Sequence, residues 1–97
     1  MGFEYRVIAD KKVSVDDLDL ICNNLKKCSL CHNAVLTKHG IYMPSETEGW
    51  EAIGIGLTDE GFFVTLCFSN CKTDKIVLDI IQNTMRDKGI KTVVEDN

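Results

Sequence analysis

The sequence is sparing with residues that interrupt a fold: one proline and seven glycines in 97 residues. That scarcity, without any low-complexity run, disfavours disordered and fibrous architectures. No apolar stretch approaches the roughly 18 residues that cross a bilayer, so no membrane association is expected. The amino terminus, Met1-Gly2-Phe3-Glu4-Tyr5-Arg6, lacks the basic start, apolar stretch and small-residue cleavage site of a secretory signal, and a cytoplasmic location is expected. Basic clusters are also missing. Nothing exceeds Lys11-Lys12 or Lys26-Lys27, and the net charge is −4, which argues against nucleic-acid binding. Hydrophobic residues at 44% and charged residues at 27% are ordinary for a water-soluble globular chain, and the length suits a single domain over 1–97.

Apolar periodicity predicts the elements. Phe3 to Ala9 alternates as a strand. Ser14 opens a helix whose Leu18, Ile21, Cys22, Leu25 and Cys28 recur at helical spacing, with Asp16 and Asp17 at the positive end of the dipole. From Asn33 to Met43, two apolar runs flank Lys38-His39-Gly40, which reads either as a tight turn or as a bend in one strand. Ala52 to Phe68 is a hairpin around Thr58-Asp59-Glu60-Gly61. Its pairing sets Leu57 opposite Phe62, Ile55 opposite Val64 and Ile53 opposite Leu66 on one side, and Gly56 opposite Phe63 and Gly54 opposite Thr65 on the other. Thr73 then caps a second helix with a stripe of Ile76, Val77, Ile80, Ile81, Thr84 and Met85, closed by Gly89 as a left-handed cap. Ile90 to Glu95 forms a last strand. The order β-α-β-β-β-α-β implies an α+β fold, a mixed or antiparallel sheet of four to five strands with two helices on one face, ferredoxin-like or related. The other face would be open.

Five cysteines, Cys22, Cys28, Cys31, Cys67 and Cys71, are an odd number, and free thiols are expected. Cys28-Ser29-Leu30-Cys31-His32 has the spacing of c-type haem attachment, but that chemistry needs export and a cavity. Cys28 and Cys31 with Cys67 and Cys71 would offer four thiolates to zinc. Neither pair carries the Gly or Pro of a knuckle turn, and buried small hydrophobes are the stronger reading. Thioredoxin-type chemistry needs a helix N-terminus, whereas Cys28 and Cys31 follow a C-terminus. Cys71, just before the second helix, is the better placed thiol. His32 and His39 have no triad-like partners. Gly54-Ile55-Gly56 lies mid-strand and is no phosphate loop. No catalytic residue, metal or cofactor is assigned.

The charge map is uneven. Gly40 to Cys71 holds Glu46, Glu48, Glu51, Asp59 and Glu60 without a single Lys or Arg, so this segment carries −5 and the rest of the chain +1. The only tryptophan, Trp50, lies within it. Solvated charges and a tryptophan plugging a core edge would explain this equally simply. The sharper reading is a docking surface: tryptophan is enriched at interface hot spots and clustered acids speed encounter with a cation. Tyr42, Phe63 and Thr65, on the open sheet face, would extend it into one acidic-aromatic patch.

A small, acidic α+β domain with such a segment resembles the immunity proteins that bacteria pair with secreted nuclease toxins, including those of contact-dependent growth inhibition. The resemblance spans the whole chain in size, charge and element order, and is carried by Glu46 to Glu60 with Trp50. It implies a non-catalytic, cofactor-free protein that occludes the active site of a cognate toxin, a basic nuclease. Glu46, Glu48, Glu51, Asp59 and Glu60 would stand in for substrate phosphates and Trp50 would anchor the complex. The alternative is a regulatory module that binds a small ligand, or a second copy of itself, through the glycine-floored sheet face around Phe63.

Overall fold

The computed structural model describes residues 3–29, 31–44, 51–67 and 71–96, with Glu51, Cys71 and Asp96 described by backbone alone. Alternating and β-branched stretches form the strands, and the two segments with helical spacing form the helices. In chain order these are β1 (Phe3–Ala9), α1 (Val15–Lys26), β2 (Val35–Thr37), β3 (Gly40–Pro44), β4 (Glu51–Leu57), β5 (Gly61–Leu66), α2 (Cys71–Asp87) and β6 (Thr92–Asp96). The strands make one open sheet in the order β2-β3-β4-β5-β1-β6. Every neighbouring pair is antiparallel. The domain is α+β, as expected, but the sheet has six strands among the described residues rather than four to five. The difference lies at Asn33 to Met43, which forms the hairpin β2-β3, with Val35 opposite Tyr42 and Thr37 opposite Gly40.

The hairpin β4-β5 has the expected register. Leu57 pairs with Phe62, Ile55 with Val64 and Ile53 with Leu66, while Gly56 pairs with Phe63 and Gly54 with Thr65. Because side chains alternate across a strand, these two sets lie on opposite faces. Of the first set, Ile53, Ile55, Phe62, Val64 and Leu66 are buried in the core together with Val7, Ile41 and Met43, while Leu57, at the end of β4, is exposed. Both helices cover this face. α1 contributes Leu18, Ile21, Cys22 and Leu25, and α2 contributes Val77, Ile81 and Met85.

Helix ends follow local chemistry. Ser14 precedes α1 in extended conformation, and its amide donates to the Asp17 carboxylate at 2.8 Å. Asp17 also accepts from Lys88, the residue that follows α2, so one buried carboxylate caps α1 and ties it to the end of α2. Farther along the same interface Asn24 Nδ2 donates to Thr84 Oγ1 at 2.8 Å. α2 ends in a Schellman motif: the Ile90 amide donates to the Met85 carbonyl and the Gly89 amide to the Arg86 carbonyl, each at 2.9 Å. Gly89 has the expected left-handed conformation, with φ +77°.

Three expectations are corrected. α2 begins at Cys71, so Thr73 lies inside its first turn and is buried there beside Asp74. Ile76 is exposed rather than part of the buried stripe, because Thr73, Val77, Thr84 and Met85 define the inward face. The final strand begins at Thr92, since Ile90 is consumed by the helix cap. The Asp74 carboxyl is pushed above its ordinary value by burial, against the hydrogen bond that Tyr5 Oη donates to Oδ2 at 3.2 Å. Its Oδ1 has no hydrogen-bond partner among the described residues.

Candidate docking surface on the open face of the sheet

No described helix covers the second face of the sheet. Parity along the strands places Val35 and Thr37 of β2, Gly40 and Tyr42 of β3, Gly54 and Gly56 of β4, Phe63 and Thr65 of β5, and Glu4, Arg6 and Ile8 of β1 on it. Across the sheet these fall into rows. One runs Val35, Tyr42, Gly54, Thr65, Glu4, and the next runs Thr37, Gly40, Gly56, Phe63, Arg6. Three glycines therefore adjoin one another, with Tyr42 and Phe63 at opposite corners. The result is an open trough of about 500 Å³ with a bare backbone floor, whose rim includes Thr37, His39 and Thr65.

Gly40 makes this floor possible. It adopts φ +122°, and a Cβ there would lie 2.1 Å from the Ile55 carbonyl oxygen, so only glycine lets β3 approach β4 this closely. At Gly56 the nearest atom to a Cβ would be the His39 carbonyl oxygen at 3.8 Å, which is ordinary contact. The floor thus tolerates a Cβ at Gly56 but not at Gly40.

Tyr42 is 39% exposed and Phe63 half-buried, so both expected aromatic contributors stand on this face. The acids are divided. Glu51 is the first residue of β4 and Leu57 the last, which sets the Glu51 backbone about 20 Å from the turn that carries Asp59 and Glu60. Glu46, Glu48 and Trp50 lie outside the described residues, and of Glu51 only the backbone is described. Glu60 is also not a free acid, because its Oε2 accepts from Arg6 Nη2 at 2.8 Å. Of the expected patch, the described residues bring Tyr42, Phe63 and Thr65 together on this face and set Asp59 and Glu60 in the turn beyond the end of β4. Arg6, Glu4 and Gly40 were not singled out in the sequence, although strand parity from Phe3 onward already places Glu4 and Arg6 on one side.

The thiols show a different environment. Cys22 and Cys31 are buried, and Cys28 and Cys67 are partly buried. Burial first, and then the neighbouring Cys28 thiol, push Cys31 up to about 11. Cys31 is therefore a packed thiol and a poor nucleophile at neutral pH. Among the described residues no group of three or more His, Cys, Asp or Glu side chains could hold a metal ion. His32 Nδ1 sits 2.9 Å from the Ser29 carbonyl oxygen in the turn after α1, and the His39 amide donates to Thr37 Oγ1 at 3.1 Å. Neither contact links a histidine to a nucleophile.

No protein family, curated protein or solved structure matches the chain. No described helix is long and apolar enough to cross a membrane. The functional reading therefore rests on the surface itself.

Proposed function

We propose that this chain is a protein-binding domain of the immunity type, which docks a cationic partner protein, a nuclease toxin, through the open face of its sheet. The observation that carries this reading is the uncovered trough between Tyr42 and Phe63, set within a stretch from Gly40 to Cys71 that bears five acids and no Lys or Arg. An aromatic centre flanked by acids combines the two features of a fast, specific interface: apolar area to hold a partner and charge to steer it. Arg6 lies on the same face, but Glu60 draws its guanidinium into an ion pair, which leaves the face without an unpaired cation at that position. In this reading Trp50 would supply the hot spot, and Glu46, Glu48 and Glu51 the phosphate-like charges.

We also assign the domain to the ferredoxin-like sandwiches. With the hairpin β2-β3 set aside, the sheet order becomes β6-β1-β5-β4, with α1 and α2 in the two crossovers, which is the split β-α-β arrangement of that fold. In this assignment the hairpin widens the open face and brings Tyr42 to it.

Native mass spectrometry of the protein, recovered by a gentle tag from its own cells, tests the functional reading. A one-to-one complex with a basic polypeptide, lost in a Phe63→Asp variant, is the expected result. A bare chain, a homodimer, or a complex indifferent to Phe63→Asp would contradict it.

A further inference from the structure

The geometry points to an arginine side chain as the group that fills the trough: the partner's guanidinium slides over the glycine floor between the Tyr42 and Phe63 rings and is held at the rim by Thr65 and Glu4. This rests on the reading that the open face docks a cationic protein, and it names how that face does so.

The argument begins with what the rows omit. Tyr42 and Phe63 stand on strands two apart, β3 and β5, and two residues apart along them. Their Cα atoms are thus about 12 Å from each other, from a strand spacing of about 4.8 Å and a rise of about 3.4 Å per residue. At the intervening positions, Gly40, Gly54 and Gly56, no side chain rises from the sheet. Among the described residues, no side chain stands on the sheet between the two aromatic positions. A planar group stacked between two aromatic rings needs about 7 Å, twice the optimal atom contact of about 3.5 Å, and the separation of the two strands leaves that room.

Charge selects among planar groups. Glu4 stands next to Thr65 in the register and makes no ion pair among the described residues, so its carboxylate borders the trough on one side. The trough's own strands, β3 to β5, carry no Lys or Arg. The nearest cation on β1, Arg6, is bound to Glu60. A planar cation is thus favoured over a neutral aromatic, and an anionic nucleobase-phosphate is disfavoured. Guanidinium also has the shape that ammonium lacks, because it stacks on aromatic faces and presents donors in its own plane toward Thr65 Oγ1 and the Glu4 carboxylate.

The test uses a synthetic peptide of alternating glycine and arginine, its lysine counterpart, and the folded chain, followed by amide NMR spectra. The arginine peptide is expected to shift the amides of Gly54, Gly56, Phe63 and Thr65 and to bind at least fivefold more tightly than the lysine peptide. Gly56→Val, whose Cβ meets the His39 carbonyl at an ordinary contact distance, and the double variant Tyr42→Ala with Phe63→Ala should each abolish these shifts while keeping the remaining spectrum. Equal affinity for the two peptides, or shifts confined to other surfaces, would overturn the proposal. A short oligothymidylate that moves these amides while the arginine peptide does not would assign the slot to nucleic acid, and a concentration-dependent dimer burying them would assign it to a second copy; either overturns it. The two readings also separate. If Gly56→Val loses the arginine peptide but keeps a cationic protein partner, the docking reading stands and arginine insertion as its means falls. If the wild-type chain binds the arginine peptide in the slot but has no cationic partner, the docking reading falls alone.

Discussion

Asp17→Ala is expected to destabilise the domain by about 2–3 kcal/mol, a value that follows from two separate losses. The first is the hydrogen bond from the Ser14 amide to Asp17 at 2.8 Å, a cap whose removal costs about 1 and up to about 2 kcal/mol. The second is the pair with Lys88, in which the Asp17 side chain is 4% exposed and that of Lys88 37%. Because the ammonium can return to water, this loss stays near about 1 kcal/mol, below the roughly 3–5 kcal/mol of a fully buried pair. In a domain of this size the sum lowers Tm by roughly 10–15 °C. Asp17→Asn keeps an acceptor for Ser14 and should lose only about 1 kcal/mol. The pH dependence gives an independent check. Burial by itself raises the Asp17 carboxyl, but the Lys88 hydrogen bond, the Ser14 amide and the Lys88 charge outweigh it and hold the group below its ordinary value. A carboxyl held lower in the folded chain contributes stability above its unfolded pKa, near about 3.9, and loses that contribution as pH falls through the folded value. Urea unfolding followed by circular dichroism should therefore show a full gap between wild type and Asp17→Asn at pH 7 that closes toward pH 2. An Asp17→Ala protein within about 0.5 kcal/mol of wild type at pH 7, or a gap unchanged by acid, would refute the reasoning.

Three further outcomes follow from the same structure. Phe62 is 1% exposed and faces the helices while Phe63 faces outward, so Phe62→Ala should cost about 3–5 kcal/mol and Phe63→Ala under about 1.5 kcal/mol by urea titration. Similar costs for the two would mean that the register of β5 is wrong. Gly40→Ala should cost at least about 2 kcal/mol, because its Cβ would meet the Ile55 carbonyl at an unfavourable φ, whereas Gly56→Ala should stay within about 1 kcal/mol. Equal tolerance would remove the close β3-β4 approach that forms the trough floor. Cys31, fully buried with its thiol pushed up to about 11, should resist iodoacetamide at pH 8 in the folded chain and react only after denaturation, as read by peptide mass spectrometry. Native labelling of Cys31 would place it at the surface.

The sheet's centre was legible because its signal is local. Ile53, Ile55 and Leu57 alternate with glycines on one side of a four-residue turn, and Phe62 to Leu66 answer on the other, so turn length and parity together fixed both the partners and the faces. Tyr42 joined that face by its spacing. The hairpin β2-β3 could not be told from a bend, since β2 is three residues long and a period of two cannot be established over that length. Gly40 remained hidden for the same reason, because its place beside Gly56 depends on that hairpin. Thr73 suggested a cap through its hydroxyl, yet α2 starts earlier and buries it, a case of packing overriding local preference. The ion pairs Arg6–Glu60 and Asp17–Lys88 join residues 54 and 71 apart in the chain, and neither periodicity nor composition reports such contacts.

The claim that the open face is where a partner sits is tested most directly by paired charge substitutions on opposite faces, once the partner has been isolated. Thr65→Arg places a cation at the rim of the trough, whereas Asp79→Arg places one on the exposed side of α2. With the partner immobilised and association followed by surface plasmon resonance, Thr65→Arg should abolish binding or slow association at least tenfold, and Asp79→Arg should leave it within about twofold of wild type. Binding that survives Thr65→Arg but is lost with Asp79→Arg would place the partner on the helical face and contradict the account.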